Sequence, residues 1–208
     1  FLFFGFLCMF LACVNKPSAR ESLLLNLREQ IHEIDGDVAL AFYDLSDENK
    51  PIFIREDEKF HAASTMKVPV MIELYKQAEQ GRLNLNDSVL LKNEFKSIVD
   101  GSSFQMDIQV DSDGDVYKLL GTKVSIYDLM YNMITASSNL ATNILIALVG
   151  AKEVTATMRD LGAKNIEVLR GVEDLKAYDL GLNNSTTAKD LMLIMKAIAN
   201  HSAGTQAD

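Results

Sequence analysis

Phe60 to Tyr75 reads FHAASTMKVPVMIELY, and this stretch joins a helical pattern to two reactive side chains. From Ser64 onward, apolar residues recur at the spacing of one helix face. The residues of this stripe are Val68, Met71, Ile72 and Tyr75. Gly81 follows, and glycine suits the left-handed conformation in which many helices end. The pattern therefore predicts a long helix over residues 64–80 that Ser64 opens.

Ser64 and Lys67 form the strongest chemical signal in the chain. A serine at a helix start lies near the positive end of the helix dipole, which favours developing negative charge. Lys67 projects over the same face one turn along, and it is followed by the apolar run Val68-Pro69-Val70. Burial lowers the pKa of an ammonium group, so Lys67 can take or pass the proton of Ser64. The alternative is a helix-capping serine beside a surface lysine.

A second polar motif, Ser137-Ser138-Asn139, lies between the apolar segments YDLMYNMIT and LATNILIALVG. Three small polar residues between two core helices predict a tight interhelical turn. Helix capping accounts for one of them, because Ser, Thr and Asn are preferred at helix starts, but it does not require three. A serine placed here against Ser64 and Lys67 can relay a proton to a leaving group, and Asn139 can hold a substrate amide.

The two motifs together resemble the penicillin-recognising serine hydrolases, and within them the class A β-lactamase-like family. The resemblance covers about residues 37–200 and includes GLNNSTTAKDLMLIMKAI, which is similar to the family's segment after its active-site Ω-loop. It implies that Ser64 is the acylated nucleophile and that Lys67 accepts its proton. It also implies that Ser137 relays a proton to the leaving nitrogen and that Asn139 binds the substrate amide.

The base that would release the acyl-enzyme is less well defined. In β-lactamases of this class a glutamate on the Ω-loop activates water. Glu173 is the candidate, because it follows Ser137 by 36 residues, about the family's interval. The family's Glu-x-x-Leu-Asn pattern is absent there, and alignment on Leu182-Asn183 places Asp179 at the base position instead. A further alternative is that Glu173 pairs with Arg170 and only fixes the loop.

Two other features depart from the family's pattern. Ser138 stands where the family has aspartate, at the position least direct in the chemistry. The 73 residues from Ser64 to Ser137 exceed the interval in compact members, with the excess around residues 104–119. Within this excess, DSDGDVY (residues 111–117) has the spaced carboxylates of a calcium loop but lacks its final glutamate and has its glycine misplaced. We interpret it as a polar hairpin turn.

Composition excludes several classes of protein. The 208 residues are 48% hydrophobic and 24% charged, as in a soluble globular chain. The net charge of −9 argues against nucleic-acid binding, which needs a basic face. Cys8 and Cys13 both precede the folded body, and the histidines at positions 32, 61 and 201 show no ligand spacing. We therefore expect neither a metal nor a cofactor.

The N-terminus has the pattern of an export signal. FLFFGFLCMFLA, residues 1–12, is too short to span a membrane and has the length of the apolar core of a secretory signal. Phe-Leu-Ala-Cys, ending at Cys13, resembles a bacterial lipoprotein signal, which implies a lipid on Cys13 and membrane anchoring. Ordinary cleavage with Cys13 incidental is the alternative. We expect residues 1–20 to be a leader and residues 21–208 to be one domain, in the periplasm or anchored to the outer membrane.

The remaining pattern predicts an α+β fold. Strands over residues 37–45 and 51–55 form a hairpin, and helices follow around residues 125, 140–149, 152–161 and 186–199. The resemblance implies a β-lactamase/penicillin-binding-protein-like domain, with a helical lobe beside an antiparallel sheet lobe. The family's Lys-Thr-Gly strand motif is missing, so we expect the C-terminal strands to be absent from a chain truncated at both ends.

The function implied by the resemblance is hydrolysis of β-lactam amides through an acyl-serine intermediate. The expected substrate is a small β-lactam or a peptidoglycan peptide, and the expected state is a monomer. Two alternatives remain open: a D-Ala-D-Ala-type peptidase or esterase with the same Ser/Lys/Ser set, and a catalytically silent cell-wall-binding lipoprotein.

Overall fold

The structure, a computed structural model, describes residues 17–47 and 50–204. Cys13 and nearly all of the expected leader lie outside the described residues. The chain divides into two compact units, residues 1–38 and 39–208. The first unit contains α1 and the second contains every other element.

Helices and short strands are interspersed along the described part of the chain. The helices are α1 (Ala19–His32), α2 (Lys67–Glu79), α3 (Gly114–Tyr117), α4 (Ile126–Thr135), α5 (Asn139–Val149), α6 (Ala151–Asp160), α7 (Leu175–Asp179) and α8 (Ala188–Ala199), with a 3₁₀ turn over Ala63–Met66. The strands are β1 (Leu40–Phe42), β2 (Ile52–Ile54), β3 (Phe60–His61), β4 (Ser88–Leu90), β5 (Phe95–Lys96), β6 (Ser103–Phe104), β7 (Lys123–Ser125) and β8 (Ser185–Thr186). This mixture confirms the predicted α+β class.

The helix α1 begins where a capping box satisfies its first backbone N–H groups. The Ser18 hydroxyl accepts the N–H of Glu21 at 3.3 Å, and the Glu21 carboxylate accepts the N–H of Ser18 at 2.7 Å. These reciprocal bonds place the start of the helix at Ala19.

In the part of the chain that the structure describes, the strands form four antiparallel pairs. The predicted hairpin is confirmed, since β1 pairs with β2 in a register that sets Leu40 opposite Ile54. The pair that positions the site is β3 with β8, which sets His61 opposite Ser185. This pairing brings the segment before Ser64 beside the end of a long loop, residues 167–185.

The core of the second unit is built on α2, which contacts α4, α5 and α6. Large apolar side chains from these helices are less than 2% exposed, and each contributes about 1.5–3 kcal/mol by leaving water. They include Leu74, Leu129, Met133, Leu140, Leu145 and Met158. In residues 17–47 and 50–204, no single helix is long and apolar enough to cross a membrane, although α5 and α6, bent by 80°, meet that test as a pair.

Residues 111–117 differ from the expectation of a hairpin turn. They form a capped helical turn, because the Asp113 side chain accepts the backbone N–H of Asp115 at the start of α3. Val116 and Tyr117 are buried, and their burial fixes this turn against the core. The hairpin interpretation was wrong because it considered only the polar residues of the segment.

Candidate active site

Ser64 lies in the 3₁₀ turn and not in α2, which begins three residues later than predicted, at Lys67. The turn is tight because Ala63 adopts a left-handed φ of 44°, and the Thr65 N–H bonds to the Ala62 carbonyl. The imidazole Nδ1 of His61 accepts the N–H of Ala63 at 3.0 Å and supports this conformation. Ser64 is consequently presented on an exposed turn at the start of the helix.

Lys67 is buried, with 2% of its surface exposed. Its ammonium donates to the Ser137 carbonyl at 2.5 Å, the Ser137 hydroxyl at 2.9 Å and the Asn139 side-chain oxygen at 2.9 Å. Burial lowers the pKa of Lys67, while the carboxylates of Asp111 and Glu173 act in the opposite direction. The surface-lysine alternative is therefore excluded.

The second motif forms the predicted turn between α4 and α5. Ser138 is fully buried and caps α5, since its hydroxyl accepts the N–H of Ala141 at 3.3 Å. Ser137, with a left-handed φ of 57°, turns its hydroxyl the other way, to within 3.1 Å of the Ser64 hydroxyl. Capping thus occupies Ser138 and leaves Ser137 facing the 3₁₀ turn that carries Ser64.

Together these contacts form a short chain of polar atoms. Ser137 Oγ lies between Ser64 Oγ at 3.1 Å and Lys67 Nζ at 2.9 Å. A proton can move along this chain from a serine to a lysine whose pKa is lowered by burial. The geometry suits activation of Ser64 as a nucleophile.

Glu173 faces the same group of side chains from the loop 167–185. Its carboxylate accepts the side-chain N–H of Asn139 at 3.0 Å and the backbone N–H of Asp107 at 3.4 Å. Asp179, the other candidate base, ends α7 with an exposed side chain. Arg170 bonds to the Leu182 and Gly171 carbonyls and to Asn183.

The loop 167–185 is closed at its neck by two backbone bonds between Glu167 and Ser185, at 2.8 and 2.9 Å. Its middle is held by Asn143 of α5, which bonds the Val172 N–H at 2.6 Å and the Val172 carbonyl at 2.9 Å. Gly171 makes this contact possible, because a Cβ there would lie 2.2 Å from Asn143 Oδ1. This bracing sets the position of the neighbouring Glu173.

Sequence reasoning missed two residues of the site. Asn143 is a buried polar residue within an apolar helix, and that mismatch was the signal that could have revealed it. Asp111 accepts the backbone N–H groups of Asn139 and Leu140, although its segment had been interpreted only as a turn.

A cavity of about 180 Å³ adjoins the 3₁₀ turn that carries Ser64 and the loop 167–185. Ala63, Glu173 and Tyr178 are among its lining residues. Within residues 17–47 and 50–204, no group of three or more His, Cys, Asp or Glu side chains could hold a metal ion. The arrangement offers an exposed serine hydroxyl, a lysine with lowered pKa, an amide donor and a carboxylate.

Comparison with known sequences identifies the family. The family described as "Beta-lactamase enzyme family" matches residues 25–208. Beta-lactamase PSE-4 from Pseudomonas aeruginosa is 30% identical over 135 residues, which are 64% of this chain and 42% of that protein. Beta-lactamase CARB-3 from the same organism gives the same values. The match thus spans less than half the length of these curated relatives.

Solved structures share the fold. A β-lactamase from Sphaerobacter thermophilus has a TM-score of 0.68 at 23% identity, covering 89% of this chain and 64% of its own. PBP-A has a TM-score of 0.69 at 22% identity, covering 88% and 63%. A β-lactamase from Xanthomonas campestris has a TM-score of 0.72 at 18% identity, covering 89% and 65%. The family match over most of the chain and the shared fold lead to one conclusion: the chain belongs to the beta-lactamase enzyme family.

Proposed function

We propose that this protein opens β-lactam amides through an acyl-serine intermediate. The observation that carries the proposal is the polar chain Ser64–Ser137–Lys67, with links of 3.1 and 2.9 Å, at the start of a core helix. Related proteins support the choice of substrate: the curated relatives bear the name β-lactamase, and a mutant of PBP-A was solved as an acyl-enzyme complex with penicillin G.

The acylation step uses the neutral form of Lys67. Ser64 gives its proton to Ser137 as Ser137 passes its own proton to Lys67, and the Ser64 oxygen bonds to the lactam carbonyl carbon. Collapse of the tetrahedral intermediate breaks the carbon–nitrogen bond. The leaving nitrogen then takes a proton from Ser137, which Lys67 replaces, so the lysine ends the step neutral.

The deacylation step needs a base for water, and we assign it to Glu173. Its carboxylate bonds the Asn139 side chain at 3.0 Å, which places it beside the Ser137 turn. Water gives a proton to Glu173 while its oxygen attacks the acyl carbon, and the proton then returns to the Ser64 oxygen. Asn139, which bonds both Lys67 and Glu173, can also orient the amide side chain of the substrate.

A penicillin-acylation assay tests the proposal in the full-length gene product. The wild-type protein should form a covalent adduct with a fluorescent penicillin and turn over nitrocefin. Ser64→Ala should abolish the adduct, whereas Ser88→Ala, at an exposed serine of β4, should leave it unchanged. Peptide mass spectrometry that located the adduct on another residue, or on the Ser64→Ala protein, would contradict the assignment.

A peptidase of the D-Ala-D-Ala type is a second candidate, favoured by the contacts of Glu173. Its two oxygens accept N–H groups from Asn139 and Asp107. In the described part of the chain, Glu173 makes no direct hydrogen bond to Lys67. Because both oxygens already accept N–H groups, the carboxylate has less accepting capacity left to bind and orient a water molecule, and the acyl-enzyme then persists. Stable penicillin labelling with low nitrocefin turnover would favour the peptidase, and no labelling at all would favour a silent binder.

We also propose that the protein is exported and carries a lipid on Cys13. The apolar residues 1–12 directly before this cysteine support the proposal. Metabolic labelling with an alkyne fatty acid should mark the wild-type protein and the Cys8→Ser variant but not Cys13→Ser. Label retained by Cys13→Ser would contradict lipidation at this residue.

A further inference from the structure

The segment Asp111–Asp113 lies against the turn that carries Ser137 and Asn139. The Asp111 carboxylate accepts the backbone N–H groups of Asn139 at 3.0 Å and Leu140 at 2.9 Å. The Ser112 hydroxyl donates to the carbonyls of Ala136 at 2.7 Å and Ser137 at 3.1 Å. Two adjacent side chains therefore bond four backbone groups around the turn, two N–H groups and two carbonyls.

The segment is itself anchored by α3. The Tyr117 hydroxyl donates to Asp111 Oδ2 at 2.9 Å, and the Tyr117 side chain is 8% exposed. Val116, beside it, is 1% exposed and belongs to the main core. Asp113 caps this short helix and so fixes the position of the preceding residues, Asp111 and Ser112, relative to it. A rigid support of this kind is what a positioning contact requires.

Asp111 also completes the capping of α5. The first N–H groups of a helix have no partner within the helix, and the positive end of its dipole attracts a carboxylate. The Ser138 hydroxyl accepts the N–H of Ala141, whereas the Asp111 carboxylate accepts those of Asn139 and Leu140. The carboxylate that accepts these two N–H groups thus comes from a different segment of the chain.

We propose that Asp111 and Ser112 form a clamp that positions Ser137 and Asn139 for acylation. They are positioning residues, because they act on the backbone of the turn and not on the substrate. The inference rests on the proposed function for its catalytic consequence, but the clamp itself can be measured without catalysis. Ser137 keeps a left-handed φ of 57°, a conformation that a serine rarely holds without such support.

The charge of Asp111 gives the clamp a second effect, on Lys67. Burial lowers the pKa of Lys67, and the charged groups that oppose this are Asp111 and Glu173. Burial raises the pKa of Tyr117, and Asp111, Glu173 and Asp107 raise it further. Removing the charge of Asp111 should therefore lower the pKa of Lys67 further, so that its neutral form persists to lower pH.

The experiment compares Asp111→Asn with Asp115→Asn in the full-length gene product. Each removes one carboxylate from residues 111–117. Asp115 is exposed, however, and in the described residues its side chain bonds only Lys118. Asp111→Asn should slow penicillin acylation about 10- to 100-fold at neutral pH, since small displacements of catalytic groups have effects of this size. It should also move the acid limb of the acylation profile to lower pH, and Asp115→Asn should do neither.

Two further measurements keep the outcome decisive. Ser112→Ala removes no charge, so it should slow acylation without moving the acid limb. Hydrogen exchange at the amides of Asn139 and Leu140 should accelerate in Asp111→Asn relative to Asp115→Asn, even if the protein never reacts with penicillin. Unchanged exchange would overturn the clamp, whereas faster exchange without any acylation of the wild-type protein would overturn the proposed function alone. A loss of rate in Asp111→Asn with an unmoved acid limb would overturn the effect on Lys67.

Discussion

Lys67 must be neutral before it can accept a proton that originates on Ser64. Its three hydrogen-bond acceptors favour the ammonium form locally, as do the carboxylates of Asp111 and Glu173, but burial lowers its pKa. Because the folded-state pKa is below the usual value, the lysine loses its proton at lower pH than a solvated lysine. Acylation should therefore increase with pH through this lowered pKa and level off above it.

Lys67→Arg tests whether the proton acceptor is the lysine amine. Arginine keeps the positive charge and the hydrogen-bond donors but stays protonated at any working pH. Acylation by penicillin should fall about 10²- to 10⁴-fold, the range for loss of a general base. The exposed Lys92→Arg is the matched control and should react normally. Acylation of Lys67→Arg within about tenfold of the wild-type rate would exclude the lysine as the base.

Glu173→Gln tests the second half of the reaction. The amide keeps the size of the side chain but cannot accept a proton from water, so the acyl-enzyme should accumulate while acylation stays fast. Deacylation should slow by about 10²- to 10⁴-fold. Intact-protein mass spectrometry over time measures this as the rate at which the acyl adduct is lost. Asp179→Asn, at an exposed carboxylate, is the control. Trapping by Asp179→Asn and not by Glu173→Gln would move the base to Asp179.

At the scale of elements, the loop 167–185 depends on a close approach between Gly171 and Asn143. A Cβ at position 171 would lie 2.2 Å from Asn143 Oδ1 and 3.3 Å from Ile146 Cγ2. Gly171→Ala should therefore displace Asn143 from Val172, move Glu173 and lower the free energy of unfolding by about 1–3 kcal/mol. Thermal denaturation and deacylation rates measure the two effects.

The control for this change is Gly36→Ala, where an added Cβ would meet only Ile34 at 4.0 Å. It should leave both the melting temperature and the deacylation rate unchanged. Normal deacylation by Gly171→Ala would mean that the loop can accommodate a methyl group without moving Glu173.

Elements were predictable where their signal was local. The helix α5 follows from an almost continuous apolar run that ends at Gly150, and the hairpin of β1 and β2 follows from two alternating runs joined by a turn. The start of α2 was predicted three residues early, because the left-handed Ala63 has no signature in an apolar sequence. The pairing of β3 with β8 was not predictable, since strands of two residues pair across most of the domain.

The residues of the site divide in the same way, into those with a local signal in the sequence and those without one. Ser64, Lys67 and Ser137 were predicted because they stand in short motifs, and the structure places them within hydrogen-bonding distance along one chain. Asp111 was not predicted, because its partners are backbone N–H groups that only folding brings to it. Polar residues that bond distant backbone leave little pattern in a sequence.

At the scale of the whole second unit, a buried polar network connects the core helices. Glu73 of α2 is 2% exposed, and its carboxylate accepts the Thr157 hydroxyl of α6 and the Gln77 side chain at 2.6 Å. Gln77 in turn donates to the Val149 carbonyl at the end of α5 at 3.0 Å. The network therefore fixes α5 and α6 against the helix that begins with Lys67.

Glu73→Ala tests how much of the stability depends on this network. The change leaves the Thr157 hydroxyl and the Gln77 amide without their buried acceptor, at a cost of about 1–3 kcal/mol for each unsatisfied group. The free energy of unfolding, measured by urea denaturation, should fall by at least the cost of one unsatisfied group. The exposed control Glu94→Ala should change it by less than about 0.5 kcal/mol. Well below its melting temperature the variant should still acylate at the wild-type rate, because Glu73 contacts none of Ser64, Lys67 or Ser137 in the described residues. Unchanged stability would mean that the cost of burying the carboxylate cancels its hydrogen bonds, and that apolar packing alone holds these helices together.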